Sequence, residues 1–258
     1  MQDKPWALID ADDTLIAAIV NGSVVSVHSA YSHCINEFCL RMIKLGFNEV
    51  EARDTQQEVD RYLCIKYGFA KMERFPRSFK DAYRLLCSRH NLNHDTHVAT
   101  EVERIGWQVF REFKYVAISG ALEVLRIISM GFRVAIITKG PEEHQRKKVA
   151  ESGCSVFAQE VIVMAHKSLD EWQERVVLPL QIHPELKASS FVIGDSVKSE
   201  VNPALALGFN AIHIVNPDIW TFENEPYLEV QNGQQLIVAR HIREVIDHLN
   251  LSHHLGSR

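Results

Sequence analysis

The chain is short of three things, and each shortage excludes a class of function. It has no run of about eighteen consecutive apolar residues, the length a membrane-spanning helix needs, although hydrophobic residues fill 46% of its 258 positions. It has no surplus of positive charge: 28 Lys and Arg against 33 Asp and Glu give a formal net charge of −5. That balance offers no general attraction to nucleic acid or to an anionic membrane, and leaves room only for a local basic pocket of the kind that takes a phosphate. Its five cysteines, Cys34, Cys39, Cys64, Cys87 and Cys154, include no CxxC pair. An odd number in mostly apolar surroundings reads as packed thiols in a reducing cytoplasm. Asp3 and Lys4 have no long apolar stretch behind them, so no secretory signal is expected either.

What is present is a rhythm of short β-rich runs, each followed by a polar residue and then a helix signal. WALID ends at Asp10, RVAIIT at Thr138, VIVM precedes Lys167, FVIGD ends at Asp195, and AIHIV spans 211 to 215. Such alternation predicts a parallel sheet with crossover helices. PEEHQRKKVAESG opens with Pro141 and two acids suited to a helix N-terminus, and Gly153 fits its stop. Ser168 and Glu171 have the spacing of a capping box, which places Lys167 in the loop just before a helix. ALEVLRIISMG and NPALALG read as helices closed by Gly131 and Gly208.

From about 29 to 116 the strand-like runs vanish and four amphipathic helical patterns replace them. Before them, Asn21-Gly22 sits between β-branched runs, a two-residue hairpin signal. The predicted division is a core of 1–16 and 117–250, a hairpin flap of 17–28, a helical unit of 29–116, and a frayed tail of 251–258. No internal repeat or low-complexity linker interrupts it, and the length allows a sizeable core with an inserted module.

In a doubly wound sheet the ligand crevice lies at the carboxyl ends of the strands. Asp10, Thr138, Lys167 and Asp195 all fall there. In order, DADDT at 10 to 14, IITKG at 136 to 140, Lys167 before a capped helix, and GDSVKSE at 194 to 200 resemble the four motifs of the haloacid dehalogenase-like superfamily. The resemblance covers roughly residues 5 to 16 and 118 to 216. Its specificity lies in the order and spacing of all four, since DxDxT alone would be weak.

The resemblance implies an α/β fold with a Rossmann-like doubly wound sheet, strand order 5-4-1-2-3, and an inserted α-helical cap. It implies that Asp10 attacks a phosphoryl group to form an aspartyl-phosphate, with Asp12 as general acid and then base. It further implies Mg²⁺ bound by Asp10, the Asp12 carbonyl and Asp195, with Glu200 orienting a ligand from behind. Thr138 and backbone N–H groups near Lys139 and Gly140 would hold the phosphoryl oxygens, Thr14 would join the substrate contacts, and Lys167 would neutralise the charge. Two positions depart from the pattern. Glu200 is one methylene longer than the usual Asp, and Asp13 stands where many members have Gly. Asp13 has no assigned role and is expected to cap the local turn.

Each residue also has a plain structural reading. Alone, Thr138 is a common strand residue and Lys167 a surface lysine; only their place in the constellation favours chemistry. Lys139 and Lys198 as side chains read as solvated charges. Lys71, Arg74, Arg77 and Lys80 fit a charged helix face better than an anion site. His94, Asp95 and His97 are a weak metal signal, His166 reads as structural, and Trp107 and Phe110 as core. The expected function is a Mg²⁺-dependent phosphohydrolase of a small phosphorylated metabolite, acting in the cytoplasm as monomer or homodimer, with no nucleic-acid or membrane partner. A phosphosugar mutase, a dehalogenase of the same superfamily and a non-catalytic phosphate-binding regulator remain as alternatives.

Overall fold

A computed structural model describes residues 4–217, 223, 225–231, 233–249 and 251. Apart from Leu251, the 251–258 tail lies outside them. The chain divides into two compact units, one of residues 1–18, 26–28 and 115–258, the other of 19–25 and 29–114. Among the described residues no helix is long and apolar enough to cross a membrane.

The first unit is built on six strands, β1 (Trp6–Asp10), β5 (Arg133–Lys139), β6 (Glu160–Met164), β7 (Phe191–Gly194), β8 (Asn210–Ile214) and β9 (Leu236–Ala239). They lie in the order β6-β5-β1-β7-β8-β9. Each strand pairs in parallel with its neighbours. Counted from the β8 side, the first five strands give the expected 5-4-1-2-3, and β9 adds an edge strand that the sequence reading did not include. Every residue of β1 is buried. A central parallel strand is covered on both faces, which is why WALID is a continuous apolar run rather than an alternating one.

On one face, Trp6 and Leu8 pack with Ala135, Ile137, Trp172, Val176, Val201 and Leu205. These come from β5, from the helical stretch beginning with α7 (Leu169–Trp172), and from the turn leading to α9 (Asn202–Leu207). The remaining helices of the unit are α5 (Ala121–Gly131), α6 (Glu142–Glu151), α8 (Pro184–Lys187) and α10 (Val245–His248). α5 buries Val124, Leu125 and Ile128 and packs against β5. The register sets Asp10 beside Ile137 and Thr138 beside Val163, so the carboxyl ends of β1, β5 and β6 are level.

The second unit is a cluster of four helices, α1 (Val27–Lys44), α2 (Glu49–Tyr67), α3 (Arg74–Arg89) and α4 (Thr96–Arg111), the first starting in the neighbouring unit. Phe38, Met42, Phe75, Phe79, Leu86, Val102 and Val109 form its core. Gly106 lets α4 approach α3: a Cβ there would stand 2.6 Å from the Pro76 Cα. The basic cluster is largely neutralised within this unit, since Arg74 pairs with Asp60, Arg77 with Asp81 and Lys80 with Glu103. His94 and His97 are exposed, and Asp95 caps α4 by accepting from the His97 N–H at 2.7 Å.

Three boundaries differ from expectation. The hairpin strands β2 (Ile16–Val20) and β3 (Ser23–Val25) join β4 (Lys114–Ala117) in a small sheet ordered β3-β2-β4. The hairpin turns through Asn21 and Gly22, both at positive φ (50° and 81°), the geometry that Asn-Gly favours. α1 begins at Val27 rather than 29, because a distant carboxylate caps it. The helical region stops at Arg111, and KYVA supplies β4 where the helical unit was expected to run to 116. All five cysteines are buried and free.

Candidate active site

After Asp10 the chain leaves β1 through a tight turn, in which the amides of Leu15 and Ile16 both donate to the Ala11 carbonyl at 2.9 Å. Asp13 sits at φ 63°, left-handed backbone that Asp tolerates better than bulkier residues. Its carboxylate accepts from the Val27 amide and, at 3.0 Å, from that of His28. Asp13 therefore caps the start of α1, where it was expected to cap its own turn. Burial pushes its carboxyl up to about 7 despite these amides. Thr14, expected among the substrate contacts, is enclosed by this turn, and its hydroxyl has no partner among the described residues.

Asp10, Lys167 and Glu200 come together, although they derive from three separate strand ends. The Lys167 ammonium meets an Asp10 oxygen and, at 2.6 Å, Glu200 Oε1. The loop that delivers it is specified locally. Lys167 has φ 54°, and Glu171 accepts from the amides of Ala165, His166 and Lys167 at 2.6 to 2.9 Å. The Ser168 hydroxyl caps the same helix by accepting from the Glu171 amide. The serine half of the predicted capping box thus forms, while Glu171 clamps the three amides before Ser168 instead of that of Ser168 itself.

Burial raises the Asp10 carboxyl above the usual range, and Glu200 adds to the effect while Lys167 opposes it. For Lys167, burial favours loss of its proton, but Asp10 and Glu200 more than reverse this and raise its value. These two directions conflict only if Lys167 is treated as the partner of Asp10 alone. One ammonium serves two carboxylates and cannot neutralise both. Asp195 is raised as well, by burial and then by the charges of Asp10 and Glu200. Three buried carboxylates against one ammonium leave a deficit of positive charge.

That deficit is the test of whether the donor set suits a cation. Among the described residues no three His, Cys, Asp or Glu converge as a metal cage. A divalent ion here would rest on the Asp10 and Asp195 carboxylates with a backbone oxygen, keeping water elsewhere. Such an open, all-oxygen set fits Mg²⁺ better than a caged ion.

Asp195 is held on two sides. Asn216 Nδ2 donates to its Oδ2 at 2.8 Å, and His213 Nε2 lies 3.0 Å from its carbonyl. Burial lowers the His213 pKa, which favours the neutral ring. Its Nε2–H donates to the carbonyl, and Nδ1 accepts from the Tyr227 hydroxyl at 2.7 Å. Glu200 lies in a wide helical turn (Val197–Val201) just before Pro203, where a missing backbone N–H is tolerated. Its Oε2 accepts from the Ser196 amide at 2.9 Å. Gly194 is required beneath it, since a Cβ there would stand 2.5 Å from Glu200 Cγ.

The structure changes the expected phosphate cradle. Thr138 is buried at the end of β5, one residue beyond the partner of Asp10. The Gly140 amide, however, donates to the Met164 carbonyl at 3.1 Å, continuing the β5–β6 ladder instead of facing a ligand. Lys139 is not a solvated charge. Its ammonium reaches Glu223 at 2.7 Å and Ser199 at 3.1 Å, and Glu223 also accepts from the hydroxyls of Ser196 and Ser199.

Two residues that the sequence did not single out complete the site. Lys148 on α6 places its ammonium 2.6 and 2.5 Å from the two Asp12 oxygens. Gln145 Nε2 donates to the Lys139 carbonyl at 2.7 Å and approaches Asp12 Oδ2 at 3.3 Å.

The arrangement of strands and motif residues can now be set beside known structures. No family model matches the sequence, and no curated protein does. Solved structures do. A haloacid dehalogenase-like family hydrolase from Xanthomonas campestris superposes with a TM-score of 0.72 at 19% identity, over 98% of this chain and 95% of that one. The fold is haloacid dehalogenase-like. The putative HAD-hydrolase YfnB from Bacillus subtilis, bound to magnesium, gives 0.58 at 16% identity over 96% of this chain and 100% of its own. L-2-haloacid dehalogenase from Xanthobacter autotrophicus, with chloropropionic acid covalently bound, gives 0.54 at 12% over 96% and 98%. At these identities the haloacid dehalogenase-like likeness is one of fold, and the chemistry must come from the site.

Proposed function

We propose that this chain is a hydrolase of the haloacid dehalogenase-like superfamily that cleaves a small phosphomonoester through an aspartyl-phosphate on Asp10. The observation that carries this reading is the deficit of positive charge around Asp10, Asp195 and Glu200, together with a second carboxylate, Asp12, two residues beyond the nucleophile. An Asp10 oxygen attacks phosphorus, the bond to the leaving oxygen breaks, and Asp12 gives that oxygen a proton. Water then attacks the same phosphorus, Asp12 takes its proton, and the bond to Asp10 breaks to release phosphate. Lys167 keeps Asp10 oriented and offsets charge on the phosphoryl oxygens. Thr138 is the hydroxyl nearest in the sheet to donate to those oxygens. Asp10, Asp195 and the Asp12 carbonyl would hold Mg²⁺, which when bound would supply the missing positive charge at the nucleophile and the phosphate.

A specific observation keeps dehalogenation as the second reading: several of the similar structures are L-2-haloacid dehalogenases. A departing halide needs no proton and no cation, so Asp12 and the Asp195 set would have no task in it. A mutase would share every residue named above, and a non-catalytic phosphate-binding regulator would keep them without turnover. The net charge of −5 supports a small metabolite over nucleic acid, and five free buried thiols support a cytoplasmic protein, monomeric or homodimeric.

Phosphate release from p-nitrophenyl phosphate and a panel of nucleotides, sugar phosphates and phosphoamino acids, with Mg²⁺, tests the reading. Native protein should turn over at least one of them and Asp10→Asn none. Silence across the whole panel would overturn it.

A further inference from the structure

Helix α6 reads EEHQRKKVAE, with one strongly apolar residue, yet it buries a face. The buried residues are His144, Gln145, Lys148 and Val149, at helical spacing of 144, 145, 148 and 149. A helix that must pack normally turns an apolar stripe inward; this one turns an imidazole, an amide and an ammonium. Lys148 is among the largest fully buried side chains of the protein, at 0% exposure. Burying an ammonium is costly unless it is paired and hydrogen-bonded.

Its partner is Asp12. The ammonium touches both carboxylate oxygens, and the Tyr115 ring lies with its centroid 5.0 Å from Nζ. Gln145, one helical turn earlier, approaches Asp12 Oδ2 while its other donor geometry ties it to the Lys139 carbonyl. The Asp12 side chain is 27% exposed and Lys148 not at all. The carboxylate is therefore gripped from behind and open in front.

We propose that Lys148, assisted by Gln145, is the positioning residue of the acid–base carboxylate: it fixes the Asp12 rotamer from which a proton is exchanged with the leaving oxygen. The inference rests on the phosphomonoester reading above. Three features support a positioning role over a general structural one. Both contacts converge on Asp12 and none on the nucleophile. They come from residues 145 and 148, one face of one helix. Asp12 Oδ1 retains a lone pair for a substrate or water, because an ionised carboxylate offers about four acceptor sites and these contacts occupy one on Oδ1 and two on Oδ2. The helix gives up apolar packing to bring these groups there, so an apolar face would stabilise α6 and leave Asp12 free to turn.

The test is the dependence of kcat/KM on leaving group, because that parameter covers phosphoryl transfer and departure of the leaving oxygen. Phosphate release is measured with Mg²⁺ for p-nitrophenyl phosphate, whose leaving group needs no proton, and for glycerol 2-phosphate, whose alkoxide does. In Lys148→Met, kcat/KM for glycerol 2-phosphate should fall about 100-fold, the scale of lost general acid catalysis, while that for p-nitrophenyl phosphate falls less than about five-fold. Gln145→Leu, which keeps the ion pair, should show the same selectivity in smaller degree and serves if Lys148→Met does not fold. Equal losses on both substrates in a folded variant, or no loss on either, would overturn the positioning role. If native protein releases phosphate from neither but from members of the panel above, phosphotyrosine or another aryl ester and an alkyl ester of that panel carry the same comparison. If it releases phosphate from none of them, the phosphomonoester reading fails, and the positioning role falls with it.

Discussion

The Lys167 ammonium lies 2.6 Å from Glu200 Oε1 while touching Asp10 on its other side, so a single cation spans the nucleophile and the acid behind it. Removing it exposes what it offsets. Lys167→Met should lower kcat/KM by about 10²–10³-fold, the scale for losing one preorganised donor. It should also cost about 3–5 kcal/mol of stability, since two buried carboxylates lose their ammonium. Denaturant unfolding alongside steady-state kinetics reads both; unchanged stability would contradict the pairing.

Glu171 acts one step back, through the backbone that holds Lys167 in left-handed geometry. Glu171→Ala leaves three consecutive amides without their acceptor and should destabilise by about 2 kcal/mol. The activity loss should exceed that expected from the unfolded fraction, because Lys167 loses its placement. Glu171→Gln keeps one acceptor oxygen and should fall between.

The raised carboxyls set a pH dependence in the metal-free protein. Asp13 is held near 7, and Asp10 and Asp195 are raised. The folded chain keeps protons that the unfolded chain releases above about pH 4, so their stabilising contribution is complete below that and is lost as pH rises toward about pH 7. Thermal midpoints in chelator should decline over that window, and Asp13→Asn should flatten part of the decline. Added Mg²⁺ should recover stability at the upper end and little at the lower. A midpoint that rises across the window would count against the burial of these acids.

Glu223 runs the other way. Although burial works against its charge, Lys139 and the two serines lower its pKa. Its contribution is present above the usual glutamate range and is lost as pH falls through the folded value. Glu223→Gln should therefore destabilise strongly at neutral pH and weakly at about pH 3. Equal cost at both would show that the charge is not what matters.

The parts of the site that follow from local pattern were legible in the sequence. Asp10, Thr138, Lys167 and Asp195 each end a β-rich run, and a parallel sheet brings such ends together whatever lies between them. The Ser168/Glu171 box was visible because capping is a matter of three residues. Lys148 and Gln145 were hidden, because their contacts span 136 and 133 positions and because a polar helix face normally signals solvent. The role of Asp13 at the start of α1 was hidden for the same reason, with its partners 14 and 15 residues on. The strand KYVA was masked by the helical period before it. The Gly140 amide looked available because TKG after a strand resembles a phosphate loop, whereas the ladder to Met164 continues one residue further than the pattern shows.

The central claim, an aspartyl-phosphate on Asp10, is tested most directly by following the oxygen of water. Native protein in excess is allowed a single turnover of p-nitrophenyl phosphate with Mg²⁺ in isotopically heavy-oxygen water, and both the released phosphate and the peptide carrying Asp10 are weighed by mass spectrometry. Acid quench within the turnover predicts an Asp10 peptide heavier by one phosphoryl group, and completion predicts heavy oxygen in the phosphate and none in Asp10. A peptide that never carries the phosphoryl mass would contradict the intermediate. Heavy oxygen in the Asp10 carboxylate would mean that water attacks its carbonyl carbon, the course of an alkyl ester intermediate, and would contradict the account.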